Sequence, residues 1–68
     1  MTEFKITGEY IHLNKLLKVL GFAATGGHAK ILIEDGEVMV NDKIEHRLRN
    51  KIRPGDIVAV GDEKCKIS

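Results

Sequence analysis

Four cations recur at every second position near the C-terminal third of the chain: Arg47, Arg49, Lys51 and Arg53, with Leu48 and Ile52 between them. In an extended chain, alternate side chains leave the same face about 6.6 Å apart. That pattern predicts a comb of positive charge on one side and apolar anchors on the other. A comb of this kind suits a phosphate backbone, because each neutralised phosphate releases counterions. It also fits a solvated edge strand protected by its charges. The wider segment Lys43 to Arg53 holds five basic residues and one acid, Glu45, whereas the rest of the chain holds six basic residues and nine acids. The overall charge of +1 therefore hides a basic block of net +4, which points to an anionic partner for that segment.

The second candidate is the glycine pair Gly26 and Gly27, which follows Thr25 where a helix is about to begin. With Thr25 as N-cap, the two glycines are the first helical residues. Their N–H groups then belong to the unsatisfied donors of a helix start, at its positive end. Without Cβ atoms, nothing hinders a phosphate from reaching them. The same pair also fits a tight connection where only glycine packs, and the sequence leaves both readings open. The surrounding "GGHAK" lacks the rest of a P-loop.

Other chemistry is sparse. His12, His28 and His46 are far apart, with no ligand-spaced neighbours, and read as surface residues. His28, beside the glycines, is placed to touch a phosphate or base. Glu34, Asp35 and Glu37 lack the loop pattern of a calcium site and read as a solvated face. Cys65 is the only cysteine, so no internal disulfide forms, and it reads as a small core residue on the face of Ile67. No metal, cofactor, nucleophile–base pair or carboxylate dyad is indicated, so a non-enzymatic protein is expected.

At 68 residues there is room for one domain, residues 1–68, with a marginal core. The sequence has no long apolar run for a membrane span and no signal-peptide pattern, and with its lone cysteine it suggests a reducing cytoplasm. Phe4 and Ile6 alternate with charges and predict a first strand ending at Gly8. Leu13, Leu16, Leu17 and Leu20 form one face of a helix over His12 to Leu20, which Gly21 ends in a left-handed cap. No Ser, Thr or Asp marks the start of that helix. A second helix fits Thr25 to Asp35, with Ala29, Leu32 and Ile33 facing inward and Gly36 as the stop. Val38 and Val40, then Asn41-Asp42 and Ile44, predict a hairpin. "RPGD" predicts a turn, and Ile57 to Val60 and Lys64 to Ile67 predict two last strands around Gly61-Asp62.

The run "HLNKLLKVLGFAATGGHAKILIEDGEVMVND", followed by "RPGDIV", resembles the RNA-binding domain named after ribosomal small-subunit protein S4. The likeness covers roughly Ile11 to Val60. It extends to small stand-alone bacterial members of the YbcJ and YaaA type, which share "GG-x-AK" and a basic run before "GD". The resemblance implies an α+β fold, with two helices packed on a small, mostly antiparallel sheet (the alpha-L motif). It also implies that the helices and the following hairpin form a face for structured RNA. His12 stands where the wider family often has Arg, Asn14 where it has Asp, and Thr25 where it has Ser. Gly26 stands where it usually has an Arg that contacts RNA, a role that Arg47 to Arg53 would then supply.

The expected protein is therefore a cytoplasmic monomer that binds structured RNA, such as ribosomal or transfer RNA, with the ribosome as a candidate setting. Lys15, Lys18, Lys30, Arg47, Arg49, Lys51 and Arg53 would contact phosphates. Gly26 and Gly27 would offer backbone donors, and Asn41 would bond sugar or base. Only three aromatics are present, Phe4, Tyr10 and Phe22, which speaks against a single-strand binder that stacks bases on aromatic platforms. One alternative is a module that docks on a ribosome or enzyme through its acidic and apolar surface without specific RNA binding. A β-grasp carrier would need a C-terminal Gly-Gly where this sequence reads Lys66 to Ser68.

Overall fold

The computed structural model describes all 68 residues, Met1–Ser68. The elements are β1 Thr2–Phe4, β2 Ile11–His12, α1 Leu13–Val19, α2 Gly26–Glu34, β3 Val38–Val40, β4 Lys43–Ile44, β5 Lys51–Ile52, β6 Ile57–Val60 and β7 Glu63–Ile67. Five strands form one sheet in the order β1-β7-β6-β3-β4, and β2 and β5 form a second, two-stranded pair. All pairings are antiparallel except β1 with β7. The expected α+β class, two helices with a mostly antiparallel sheet, is the one observed.

Both helices stop as their glycines predict. Gly21 has φ +84°, and the amides of Gly21 and Phe22 bond the carbonyls of Lys18 and Leu17. Gly36 has φ +76°, and the amides of Gly36 and Glu37 bond the carbonyls of Ile33 and Leu32. These paired bonds form the Schellman arrangement, which satisfies end carbonyls and needs a left-handed residue. The hairpin is also as expected. Asn41 and Asp42 both take positive φ, 53° and 69°, with Val40 opposite Lys43. That is the type I′ geometry whose twist matches the flanking strands.

The core joins Leu13, Leu16 and Leu17 of α1 to Ala29 and Ile33 of α2 and to Val38, Val58, Cys65 and Ile67 of the sheet, all fully or almost fully buried. Leu20 and Leu32 are only partly buried at its margin. The first strand departs from expectation. It ends at Phe4, and Ile6 enters the core from the irregular stretch beyond it, held by its amide on the carbonyl of Ser68. The first helix is also shorter at each end than expected, because His12 belongs to β2 and Leu20 is the C-cap.

Cys65 sits on the inner face of β7, 1% exposed, opposite Val58 and Thr2. Cys65→Ala is expected to cost about 1 kcal/mol of stability through looser packing. A thiol reagent should label the native protein far more slowly than the unfolded chain, and equal rates would contradict the burial.

Candidate nucleic-acid interface

The basic segment is not one strand. It leaves β4, runs through an irregular stretch at residues 45–50, and re-forms a strand only at Lys51. The comb predicted from alternation is thus replaced by a loop. Two constraints impose the loop. The amides of Leu13 and Asn14, at the start of α1, bond the carbonyls of Asn50 and Leu48, each at 2.9 Å. His12, the N-cap, offers no side-chain bond, so the basic loop caps the helix that lacks a capping residue of its own. In addition, β5 pairs with β2, which buries Ile52 completely.

Glu45 organises the interior of the loop. Its carboxylate accepts from the Arg47 backbone amide at 2.9 Å, from Arg47 Nε at 2.9 Å and Nη2 at 3.1 Å, and from Asn50 Nδ2 at 3.1 Å. The Arg47 side chain is 75% exposed and that of Glu45 only 15%. The hydrogen-bonded guanidinium holds the Glu45 carboxyl below its ordinary value, against an opposing effect of partial burial, and the carboxylate in turn keeps Arg47 more firmly protonated. Despite the loop, Arg47, Arg49, Lys51 and Arg53 converge with Asn50 on one open groove of about 400 Å³, with no acid or apolar residue in its lining.

At α2, Thr25 Oγ1 accepts the His28 amide at 3.0 Å, and His28 Nδ1 accepts the Ala24 amide at 3.2 Å. Acceptance at Nδ1 places the proton of the neutral ring on Nε2, as a donor. The cap leaves the amides of Gly26 and Gly27 without a partner from it. A Cβ at Gly26 would meet nothing within 4 Å, and one at Gly27 only Thr25 Oγ1 at 3.8 Å. Neither glycine has a positive φ. Packing within the chain and backbone conformation therefore both fail to explain the pair.

The remaining expected site residues divide. Lys18 and Lys30 are exposed on α1 and α2 but line neither this groove nor a neighbouring one. Lys15 lines a separate groove beside Tyr10. Asn41 is already engaged: its Nδ2 donates to Asp56 at 3.0 Å, and its Oδ1 accepts the Ile57 amide at 2.9 Å. Asp56 Oδ2 also accepts the Arg53 amide at 2.8 Å. The Asn41 amide thus fastens the hairpin tip to the Arg53–Asp56 turn, a long-range tie that local spacing does not reveal. His28 and His46 are exposed as expected, but His12 is half-buried, with its ring 5.4 Å from that of Tyr10. Sequence reasoning does not single out Glu45, Asn50 or Tyr10 as site residues. The one acid within a basic run is the only signal for the first. No cluster of three His, Cys, Asp or Glu side chains stands together, and no helix is long and apolar enough to cross a membrane.

The S4 domain model matches residues 4–68, nearly the whole chain. The chain belongs to the S4 domain family. Among relatives of this S4 domain, the Escherichia coli (strain K12) protein named "Putative RNA-binding protein YbcJ" is 34% identical over 58 residues, 85% of this chain and 83% of its own. The Bacillus subtilis (strain 168) protein named "Probable ribosome maturation protein RlbA" is 36% identical over 55 residues, 81% of this chain and 78% of its own. The solution structure of E. coli YbcJ, described as revealing an alpha-L motif involved in RNA binding, superposes with a TM-score of 0.74 at 32% identity. It covers 98% of this chain and 86% of that one.

The Glu45 geometry generates a pH prediction. Its folded carboxyl is shifted below the ordinary 4.5, so its stabilising contribution is present above that value. The contribution is lost as the pH falls through the lowered folded value. Between about pH 5 and about pH 3, the parent should lose more thermal stability than Glu45→Gln, which has no carboxyl to protonate. Equal losses in paired melts would show that the Glu45 ion pair does not hold the loop.

Proposed function

We propose that this S4 domain is a non-enzymatic, monomeric cytoplasmic protein that binds structured RNA, ribosomal or transfer RNA, through its basic groove. The observation that carries this reading is the convergence of Arg47, Arg49, Lys51 and Arg53 on one open groove with no acid in its lining. Such a groove attracts a phosphate backbone without selecting its sequence. The names of YbcJ and RlbA support RNA as the partner and the ribosome as the setting.

Lys15, Lys18 and Lys30 lie outside the groove and would add phosphate contacts elsewhere on the exposed surface. The start of α2 supplies a second kind of interaction. Gly26 and Gly27 present amide donors at the positive helix end, and His28 adds its Nε2–H beside them. This accounts for two residues of poor helix propensity at positions where the chain itself has room for side chains.

Filter binding to ribosomal RNA fragments across a salt series tests the proposal. Arg47 is left unchanged because it also holds Glu45. The triple variant Arg49→Ala, Lys51→Ala and Arg53→Ala should stay folded, since exposed substitutions usually stay within about 0.5 kcal/mol each. It should bind more weakly, whatever the sequence, and its salt slope should fall by about 0.7–0.9 for each phosphate that is no longer neutralised. An unchanged slope removes the groove from the interface. A parent protein with no RNA signal at low salt favours a module that docks on protein alone.

The glycine pair has its own test. Gly27→Asp places a carboxylate at the positive end of α2, where a side chain fits. It should stabilise the protein by roughly 0.3–1 kcal/mol while weakening RNA binding. A stable variant with parental affinity would show that these amides do not meet RNA. Gly26→Arg, in open space, should raise affinity.

A further inference from the structure

Tyr10 is the one exposed aromatic side chain, at 39%. It is linked to two grooves. Lys51, which lines the basic groove, places its Nζ 4.9 Å from the Tyr10 ring centre. Tyr10 itself lines a second groove of about 310 Å³, with Phe4, Ile6, Ile11 and Val19 as further apolar lining and Lys5 and Lys15 as its charged residues. No acid lines either groove.

We infer that this second groove receives a single unpaired nucleobase of the bound RNA, stacked against Tyr10. The inference rests on the RNA-binding reading and specifies how that site treats an irregular RNA. Three features together favour a nucleotide. An unpaired base needs a flat apolar surface, which Tyr10 provides in company with Phe4, Ile11 and Val19. The nucleotide also carries a phosphate, which Lys5 and Lys15 complement, whereas an aliphatic ligand would gain nothing from two ammonium groups. Finally, Lys51 joins the two grooves, so a backbone on the basic groove delivers its next base to the Tyr10 side. With one platform and not a series, the site reads one extruded base in a structured RNA and does not track a single strand.

The chain contains one tyrosine and no tryptophan, so its intrinsic tyrosine fluorescence reports Tyr10 alone. The probes are three RNA hairpins: one fully paired, one with a single-nucleotide bulge, and one with an abasic bulge. The parent should bind the bulged hairpin about tenfold more tightly than the other two, as expected for one stacked base, with quenching of the tyrosine signal. Tyr10→Phe should keep the preference. Tyr10→Ala should lose it and retain the affinity for the fully paired hairpin. Because Tyr10→Ala also removes the ring's contacts with Lys51 and His12, Val19→Glu serves as a second variant, at a half-exposed position that lines the groove, and it should lose the preference too. A bulge preference that survives Tyr10→Ala and Val19→Glu, or that the abasic bulge reproduces, overturns the inference and leaves the RNA-binding reading standing. Equal parental affinity for the three hairpins overturns it as well. Absence of binding to all three at low salt overturns both.

Discussion

Two backbone hydrogen bonds, from the amides of Leu13 and Asn14 to the carbonyls of Asn50 and Leu48, join the start of the first helix to the segment that carries the cations. Each side supplies what the other lacks. The helix begins without a side-chain cap, and the loop has carbonyls with no strand partner. A buried helix start with unpaired amides would be costly, so the loop carbonyls are held close. The β2–β5 pair and the buried Ile52 extend the same junction. The shape of the basic groove therefore follows from helix capping and apolar burial, which do not depend on the charges it displays.

Holding several cations in a short loop brings like charges together, and the fold offsets this with one acid. Glu45 is mostly shielded and accepts four hydrogen bonds from Arg47 and Asn50. Arg49, Lys51 and Arg53 make no ion pair with an acid, and Lys51 leans on the Tyr10 ring. Within the frame set by the helix cap and the buried Ile52, a single internal carboxylate braces the loop while most of its positive charge stays available to solvent.

The two helix starts use opposite solutions. The first is closed by the loop. The second is capped locally by Thr25 and His28, which leaves the glycine amides without a bond from the cap, at positions where an added Cβ would have room. A closed positive end and an open one stand in the same small fold, and only the open one could meet an anion through its backbone. The match to YbcJ along almost the whole chain shows that this framework of helices and sheet is that of the S4 domain family.

Local chemistry made much of this readable from sequence. Gly21 and Gly36 predict helix ends because only glycine takes their left-handed angles at little cost. Asn41-Asp42 predicts its hairpin turn for a related reason, and the leucine period predicts the buried face of α1. Alternation also picked out the four cations that share the groove. It did so for the wrong reason, since they converge through a loop and not along one strand face. What tertiary structure alone decided depends on partners distant in sequence. The cap of α1 comes from residues more than thirty positions away. Asn41 is spent on Asp56 and Ile57 across the sheet, and Tyr10 meets Lys51 only because β2 pairs with β5. Backbone angles are set within a few residues, so sequence records them. A side chain's partners are set by which strands and loops pack together, and no local pattern in the sequence records that.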